Sequence, residues 1–403
     1  MVSVAFKMLN YNPKTNIRSL ETLHTLCKTM AILPPVNLCN VEDYKSKYLY
    51  GSAAACLLLF SYVYTIYGKI VYVQKTMSVT GFVIDVGSDL TLIVANLISI
   101  VGINLMNGNI VSIFLTNMKK IDIDFQYIPS ESKHPNIRFV MEMVLIHIYM
   151  IIFFTYNLYT WMSTLGMHIY KFFFLKDFQS YYIIVLAMLL RNYAYAIKYR
   201  MEVLNGILTR GEWSQTNNIC ANYSGSASAK IKTKQQWTLK KITKQFTNLT
   251  NLIDLYNKIF GWQFVSLYIV IVFNLLLPIN LALIYGSGEK DIDGFKYGSE
   301  LVIVCIMRAS LPIITALAIF SACNHATDEI KLTSVISYNL IQELGEVPND
   351  LNYKQELQEL ALLATNKCPS FSAAGFFAVN YSALFGLVGS ITSYLIVLIQ
   401  FNK

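Results

Sequence analysis

The chain has 403 residues, of which 55% are hydrophobic and only 14% charged, and its mean hydropathy is +0.45. This composition is too apolar for an ordinary soluble protein of that length. The net charge of +8 does not indicate nucleic-acid binding, because the lysines flank apolar segments instead of forming a basic stripe with stacking aromatics. We therefore predict an all-α membrane protein with no nucleic-acid partner.

Apolar segments of about twenty residues recur along the chain, which is the length an α-helix needs to cross the hydrocarbon layer of a bilayer. Few charged residues interrupt these segments. We predict seven transmembrane helices, at 48–73, 79–107, 138–164, 169–196, 258–285, 298–321 and 371–401.

Lysine and arginine are distributed unevenly between the two sides of these helices. They are frequent in the amino-terminal segment 1–47 and in the second and fourth loops, whereas the fifth loop is acidic, with Glu289, Asp291 and Asp293. Cytoplasmic flanks of transmembrane helices collect lysine and arginine. The bias predicts a cytoplasmic N-terminus and, after seven helices, an extracellular C-terminus.

Apolar stripes with helical spacing continue beyond some of the spans in the region 48–321. They predict that the fourth span extends into the cytoplasm as a helix and that another cytoplasmic helix leads into the fifth span. Between them, residues 211–235 are rich in Ser, Asn, Gly and Lys with little periodicity, which predicts a mobile insert. The stripes consist of Leu190, Ala194, Ile197, Met201, Leu204 and Leu208, and of Leu239, Ile242, Phe246, Leu249, Ile253 and Tyr256.

The region 322–370 shows a similar pattern after the sixth span. It contains an apolar stripe and a predicted helix at 351–366, which Pro369 ends. We predict that these helices form a cytoplasmic anchor where like subunits meet around an axis. The alternative is that the stripes pack within one subunit. The remaining residues, 371–403, contain the seventh span.

Ionisable side chains inside membrane spans are unfavourable and usually face a cavity or a partner. Asp85 and Asp89 lie one turn apart in the second span, and Arg308 lies in the middle of the sixth. An ion pair between Asp89 and Arg308 would neutralise both charges. We predict this structural pair in preference to direct ligand binding by these residues.

Amphipathic side chains in the predicted outer halves of the spans are candidates for a ligand pocket. They are Tyr156, Tyr159 and Trp161 on the third span, Tyr170 on the fourth and Asn274 on the fifth. Tyrosine and tryptophan offer flat apolar faces with single hydrogen-bonding groups, which suit a small organic ligand. For each aromatic residue, the alternatives are a belt at the membrane interface and core packing.

The sequence does not indicate an enzyme or a cofactor site. The five histidines are scattered and form no metal-ligand pair at helical spacing. The chain contains neither a nucleophile elbow nor a glycine-rich phosphate loop. Its seven cysteines imply no disulfide framework, since most lie in predicted cytoplasmic parts. We predict no metal and no cofactor.

The last predicted helix carries a polar face on an apolar sequence, Ser393-Tyr394-LIVLI-Gln400-Phe401. Ser393, Val397 and Gln400 follow at i, i+4 and i+7 and therefore share one face. An amide at a pore mouth can replace part of an ion's water shell, and Val397 could close a path by dewetting. Alternatively, Gln400 hydrogen-bonds lipid headgroups. Phe401 suits a gate or an interfacial anchor, and Tyr394 suits packing.

This block resembles the signature of the insect gustatory receptor family, which is Thr-Tyr, five hydrophobic residues and Gln-Phe, with Ser393 here in place of Thr. The upstream runs Phe371-Ser-Ala-Ala-Gly-Phe-Phe and Tyr381-Ser-Ala-Leu-Phe also look like the lead-in to that family's final helix. The similarity at motif level is confined to the C-terminal part of the chain, while length and predicted topology agree throughout.

The resemblance implies a fold and an activity that composition does not show. Gustatory receptors are similar to insect odorant receptors, tetrameric ligand-gated cation channels in which the last helix lines a central pore and a cytoplasmic anchor joins the subunits. The resemblance thus implies a pore or gate formed by Ser393, Val397, Gln400 and Phe401, with Tyr394 as a packing partner. It also implies a ligand pocket in the outer half of each subunit.

We therefore predict a homotetrameric, ligand-gated, non-selective cation channel in the plasma membrane of insect taste neurons, with hetero-oligomers of related receptors as an alternative assembly. The aromatic pocket candidates favour a bitter plant-derived or dietary tastant over a sugar. The alternative functions are a sugar-gated member of the same family and a seven-span receptor that signals through cytoplasmic partners. A secondary transporter is disfavoured, because the sequence shows no obvious internal repeat with paired broken helices.

Overall fold

A computed structural model describes residues 21–34, 44–72, 79–125, 135–210, 238–285, 299–343 and 351–401. Within these ranges the chain is nearly all helical. The predicted insert at 211–235 and most of the predicted segment 1–47 lie outside the described residues. In chain order the elements are α1 (Glu21–Thr29), α2 (Tyr44–Tyr72), α3 (Val79–Ser99), a π-helix (Ile100–Met106), α4 (Gly108–Phe125), α5 (Pro135–Leu165), α6 (Met167–Tyr170), α7 (Phe174–Thr209), α8 (Leu239–Tyr285), α9 (Ser299–Glu343), α10 (Leu351–Asn366), β1 (Ser372–Ala373), β2 (Phe377–Ala378) and α11 (Tyr381–Phe401).

Six of the helices in the described ranges are long and apolar enough to cross a membrane. The outer faces of these helices are apolar, as a lipid-facing surface requires, and Leu57, Phe60 and Val63 of α2 are examples. A shorter apolar stretch, Tyr381–Val397, lies in α11. The six candidate spans are Leu49–Tyr72, Gly81–Met106, Met141–Ser163, Phe174–Thr209, Leu239–Ala282 and Glu300–Glu343.

The core of the molecule lies where α7, α8 and α9 pack against one another. Both stripes found in the sequence are buried there, so the helices predicted at 190–208 and 239–256 are confirmed as parts of α7 and α8. The predicted helix at 351–366 is also confirmed as α10, which packs on α9 through buried Leu357, Leu360 and Ala361.

The second span continues as a helix beyond its predicted end at residue 107. The π-helix leads directly into α4, whose buried Val111, Phe114, Met118 and Ile121 recur at intervals of three and four residues. The polar residues between them obscured this stripe in the sequence. The π-helix passes close to α8, since a Cβ at Gly102 would lie 2.9 Å from Gln263 Nε2.

The prediction that the last span begins at residue 371 is wrong, because a small β-hairpin precedes α11. Its strands pair antiparallel, and the turn places Ala374 and Gly375 at φ of 50° and 84°. Asn257 of α8 fixes the hairpin by accepting from the Ser372 amide at 2.9 Å. Buried Phe371 and Val379 hold it against the helices, so these apolar residues pack on protein before the chain turns into α11.

Candidate functional site

A pocket opens within the helical bundle between α3, α5, α7, α8 and α9. Its empty volume is about 520 Å³, including the space at its mouth. Most of the wall is apolar, and the apolar lining residues are Leu92, Phe153, Ile183, Ile184, Leu267, Val270, Ile271, Leu311 and Pro312.

The polar part of the wall centres on Asp177 near the start of α7. Its Oδ2 accepts hydrogen bonds from Asn157 Nδ2 at 2.8 Å and from the Tyr170 hydroxyl at 3.1 Å. These bonds fix the carboxylate although it is only 5% exposed. Arg308 of α9 and Asn274 of α8 line the same pocket. A mainly apolar cavity with a few fixed polar groups can orient a small amphipathic molecule.

Of the five residues suggested for the pocket by the sequence, Asn274 lies in its wall. Tyr170 lies one contact behind the wall, because its hydroxyl donates to Asp177. Trp161 lies one contact further back, because its indole N–H donates to Asn157 Oδ1 at 3.0 Å and Asn157 in turn donates to Asp177. Tyr159 is 61% exposed on the outside of the bundle, and its ring lies 6.5 Å from that of Tyr156. These two tyrosines are therefore outside the lining.

Several lining residues were not among those predicted from the sequence, including Phe153, Asp177, Ser180 and Thr315. A signal for Asp177 was present, since it is a carboxylate within the predicted span 169–196 and such residues usually face a cavity or a partner. The remaining residues carry no comparable signal, because apolar and hydroxyl side chains are common on every face of a membrane helix.

The ion pair predicted between Asp89 and Arg308 is wrong. Asp89 instead contacts two lysines, with Lys69 Nζ of α2 and Lys176 Nζ of α7 each 2.5 Å from one of its carboxylate oxygens. Asp85 contacts the same lysines at 2.5 and 3.0 Å. The two lysines and two aspartates form a buried charge cluster with no net charge. Opposite charges alternate around it, which compensates for their removal from water.

The residues proposed for a pore lie on the surface of the single subunit. Val397 is 44% exposed, and Ser393 and Gln400 are also exposed. The Ser393 hydroxyl donates to its own helix at Gly389, and Tyr394 is 56% exposed. The side chain of Phe401 lies outside the described residues. Among the side chains of α11 that the structure describes, Leu387 and Ile391 are buried, so this helix packs on the bundle mainly through its first half.

Within the described residues, no group of three or more His, Cys, Asp or Glu side chains could hold a metal ion.

The sequence matches the family model for the 7tm chemosensory receptors over residues 20–403. It is 27% identical over 172 residues to gustatory and pheromone receptor 33a of Drosophila melanogaster, covering 38% of this chain and 35% of that protein. It is 42% identical over 62 residues to gustatory receptor for bitter taste 66a from the same organism, covering 15% and 12%. The chain thus matches about a third or less of the length of these relatives.

The fold is similar to that of the insect olfactory receptor OR5 from Machilis hrabei. The TM-score is 0.56 at 11% identity, over 97% of this chain and all of that one. The structure of the same receptor in complex with eugenol gives 0.53 at 10% identity, over the same shares. These likenesses agree with a nearly all-helical membrane fold, and the family match confirms the resemblance carried by the C-terminal motif. The chain belongs to the 7tm chemosensory receptors, with insect gustatory receptors among its relatives.

Proposed function

We propose that this protein is a gustatory receptor that acts as a tetrameric, ligand-gated, non-selective cation channel in the plasma membrane of sensory neurons. A small dietary or plant-derived tastant would bind the pocket and open a pore lined by α11. The observation that carries the proposal is the pocket itself, enclosed by five helices of a membrane bundle that leaves a face of α11 uncovered.

The pocket supports a small organic ligand. Nine apolar residues form most of its wall, and such a wall can receive the apolar body of a small molecule. The olfactory receptor with the similar fold has been solved in complex with eugenol, a small aromatic compound. A bitter secondary metabolite is favoured over a sugar, because a sugar would need polar partners for several hydroxyl groups. One of the relatives is named as a receptor for bitter taste.

Helix α9 offers a route from the pocket to α11. Arg308, Leu311, Pro312 and Thr315 lie in the pocket wall, and the same helix packs against α11. Pro312 has no backbone N–H, so one hydrogen bond is absent from the turn of α9 that lines the pocket. A ligand that changes the bend of α9 at this turn would move the helix on which α11 rests.

Helix α11 has the dimensions of a pore helix. Its 21 residues rise about 30 Å, the thickness of the hydrocarbon layer. Four copies around an axis would bring the exposed face with Ser393, Val397 and Gln400 towards the centre. Amide groups at one end and a valine ring one turn away would then supply a hydrated mouth and an apolar constriction.

Whole-cell recording from cells that express this chain alone tests the channel proposal. A panel of alkaloids and sugars is applied while G-protein signalling is blocked, and calcium imaging identifies the effective compounds beforehand. We expect cation currents to persist under the block. Compounds that raise calcium but evoke no current under the block would contradict the channel and favour a receptor that signals through cytoplasmic partners.

A second experiment tests the membrane topology that the channel requires. An epitope placed after Lys403 is expected to bind antibody on intact cells, while one placed at the amino terminus is expected to need permeabilisation. The reverse staining pattern would contradict the proposed orientation.

A further inference from the structure

Two opposite charges line the pocket without touching each other. Asp177 projects from α7 and Arg308 from α9. Asp177 has its side-chain hydrogen bonds with Asn157 and Tyr170, and Arg308 acts on it only through space. In an apolar bundle, hydrogen bonds from a polar molecule in the cavity would compensate both charges for their removal from water.

One oxygen of Asp177 remains available to such a molecule. Both hydrogen bonds to its carboxylate end on Oδ2, from Asn157 and from Tyr170. Among the side chains that the structure describes, none donates to Oδ1. A carboxylate can accept about four hydrogen bonds. Asp177 is therefore held firmly through one oxygen and presents an acceptor with the other.

Arg308 has more unused hydrogen-bonding groups than Asp177. In the described part of the chain it forms neither an ion pair nor a hydrogen bond, although a guanidinium has about five N–H donors. It lies about two helical turns from the start of α9 at Ser299. A cation at that depth requires water or another acceptor.

We propose that the pocket selects uncharged amphipathic ligands in which a carbonyl oxygen accepts from Arg308 and a neighbouring hydroxyl donates to Asp177 Oδ1. This inference rests on the proposed function of the pocket as the ligand site. The two charged residues are the specificity-determining groups, and the surrounding leucine and isoleucine side chains receive the apolar body of the ligand.

The balance of charge explains why an uncharged ligand fits best. Asp177 and Arg308 together contribute no net charge, and the adjacent cluster around Lys176 is also neutral. An ammonium group attracted to Asp177 would be repelled by Arg308. A carboxylate attracted to Arg308 would likewise be repelled by Asp177. Either ion would also lose its hydration in a largely apolar cavity. A carbonyl and a hydroxyl use both protein charges without adding a third.

Direct binding to the purified full-length protein tests this preference. The probes share one phenylbutyl skeleton: 1-hydroxy-4-phenylbutan-2-one, its parent ketone 4-phenylbutan-2-one, 4-phenylbutylamine and 4-phenylbutanoic acid. Titration calorimetry is expected to rank the hydroxyketone first, with an affinity about tenfold or more above those of the amine and the acid, because hydrogen bonds to charged groups are the strong ones. Tighter binding of the amine or the acid, or no binding of any probe, would overturn the proposal.

Substitutions separate the roles of the two charges. Arg308→Gln is expected to weaken the hydroxyketone and the ketone about tenfold each, and Arg308→Lys to retain most of the affinity. Asp177→Asn is expected to weaken only the hydroxyketone. Arg191→Gln is the matched control, because Arg191 of α7 is already paired with Glu142 at 2.8 Å and lies outside the pocket lining. Equal losses in the control, or unchanged affinities in Arg308→Gln, would overturn the assignment.

Binding and current are measured separately, so the two proposals can fail separately. Hydroxyketone binding without any current in expressing cells would contradict the channel and leave the ligand class standing. Ligand-evoked currents combined with equal binding of the amine, the acid and the hydroxyketone would contradict the ligand class and leave the channel standing.

Discussion

Lys176 and Asp177 are consecutive residues of α7 that serve different sites: Lys176 Nζ lies 2.5 Å from Asp89 in the buried charge cluster, whereas Asp177 lines the pocket. The cluster also includes Lys69 of α2 and Asp85 of α3, so it ties three helices together. Because a single turn of α7 carries both residues, a ligand that displaces Asp177 would also pull on the cluster.

Removal of one lysine from the charge cluster should destabilise the protein strongly, because it leaves a buried carboxylate without compensation. Lys176→Met leaves Lys69 as the only cation for Asp85 and Asp89, and breaking a buried ion pair by removing one partner destabilises by about 3–5 kcal/mol. We expect a clear fall in the melting temperature of the detergent-solubilised protein, measured by fluorescence-detected size-exclusion chromatography.

The control for this prediction is Lys198→Met, which removes a lysine from a more exposed pair with Glu202 at 3.3 Å on the same helix. Its effect should be within about 0.5 kcal/mol, since surface pairs contribute little. If the melting temperature falls equally in both variants, loss of a lysine from the cluster is no more destabilising than loss of a lysine from the more exposed pair.

Gly261 should be required for the contact between α8 and the hairpin that precedes α11. A Cβ at this position would lie 2.8 Å from the backbone nitrogen of Ala374, which has to move to make room. We expect Gly261→Ala to destabilise the protein by about 1–3 kcal/mol. The comparison is Gly206→Ala in α7, where nothing lies within 4 Å.

Gly206→Ala should leave the melting temperature unchanged or raise it, because alanine stabilises a helix by roughly 0.5–1 kcal/mol relative to glycine. If Gly261→Ala behaves in the same way in thermal melts, the hairpin does not depend on this close approach.

Burial of His24 should make stability depend on pH. Its Nε2 lies 2.8 Å from the Tyr193 hydroxyl, and burial together with nearby Lys28 lowers the pKa of His24 from 6.5 to about 4. Below pH 6.5 the unfolded chain binds a proton that the folded chain rejects until about pH 4. This contribution is therefore fully present above pH 6.5 and declines as the pH falls, by roughly 3 kcal/mol at most.

His24→Gln removes the titrating group and keeps a hydrogen-bonding side chain. We expect the drop in melting temperature between pH 7.5 and pH 5 to be smaller in this variant than in the parent. An identical drop in both proteins would show that His24 does not carry the dependence.

The exposed face of α11 should govern conduction without setting ligand affinity. Gln400→Ala or Val397→Ala is expected to change the single-channel conductance, the ion preference or the resting leak, while the half-maximal ligand concentration shifts much less. Val388, which is 55% exposed on another face of α11, provides the control substitution to alanine. If the variants at Gln400 and Val397 conduct like the parent and only their half-maximal ligand concentration changes, these residues do not line the ion path.

Much of the fold could be predicted from local sequence patterns. The stripe from Leu190 to Leu208 predicted a continuous helix, and all six of its residues are at most a few per cent exposed in α7. The pattern was readable because a helix that packs on its neighbours must repeat its apolar residues every three or four positions. The apolar segments predicted the membrane helices for a similar reason, because a helix that crosses the hydrocarbon layer must consist mainly of apolar residues over about twenty positions.

The charged site could be predicted only in part. Asp85 and Asp89 were recognised as needing a partner, but the choice of Arg308 was wrong and Lys69 and Lys176 were overlooked. Lys69 is distant in sequence from Lys176, and nothing in either local segment shows that the two helices meet. Such pairing depends on the rotation of each helix about its axis, which the packing of the whole bundle sets.

The sequence by itself determined the membrane class, the long helices and, through the C-terminal motif, the receptor family. The first two follow from composition and periodicity within single segments, and the family follows from the resemblance of one short motif. The tertiary structure alone decided the charge cluster, the lining of the pocket, the hairpin before α11 and the separation of Asp177 from Arg308 across a cavity. These features join residues from different helices, and their geometry is a property of packing that no single segment contains.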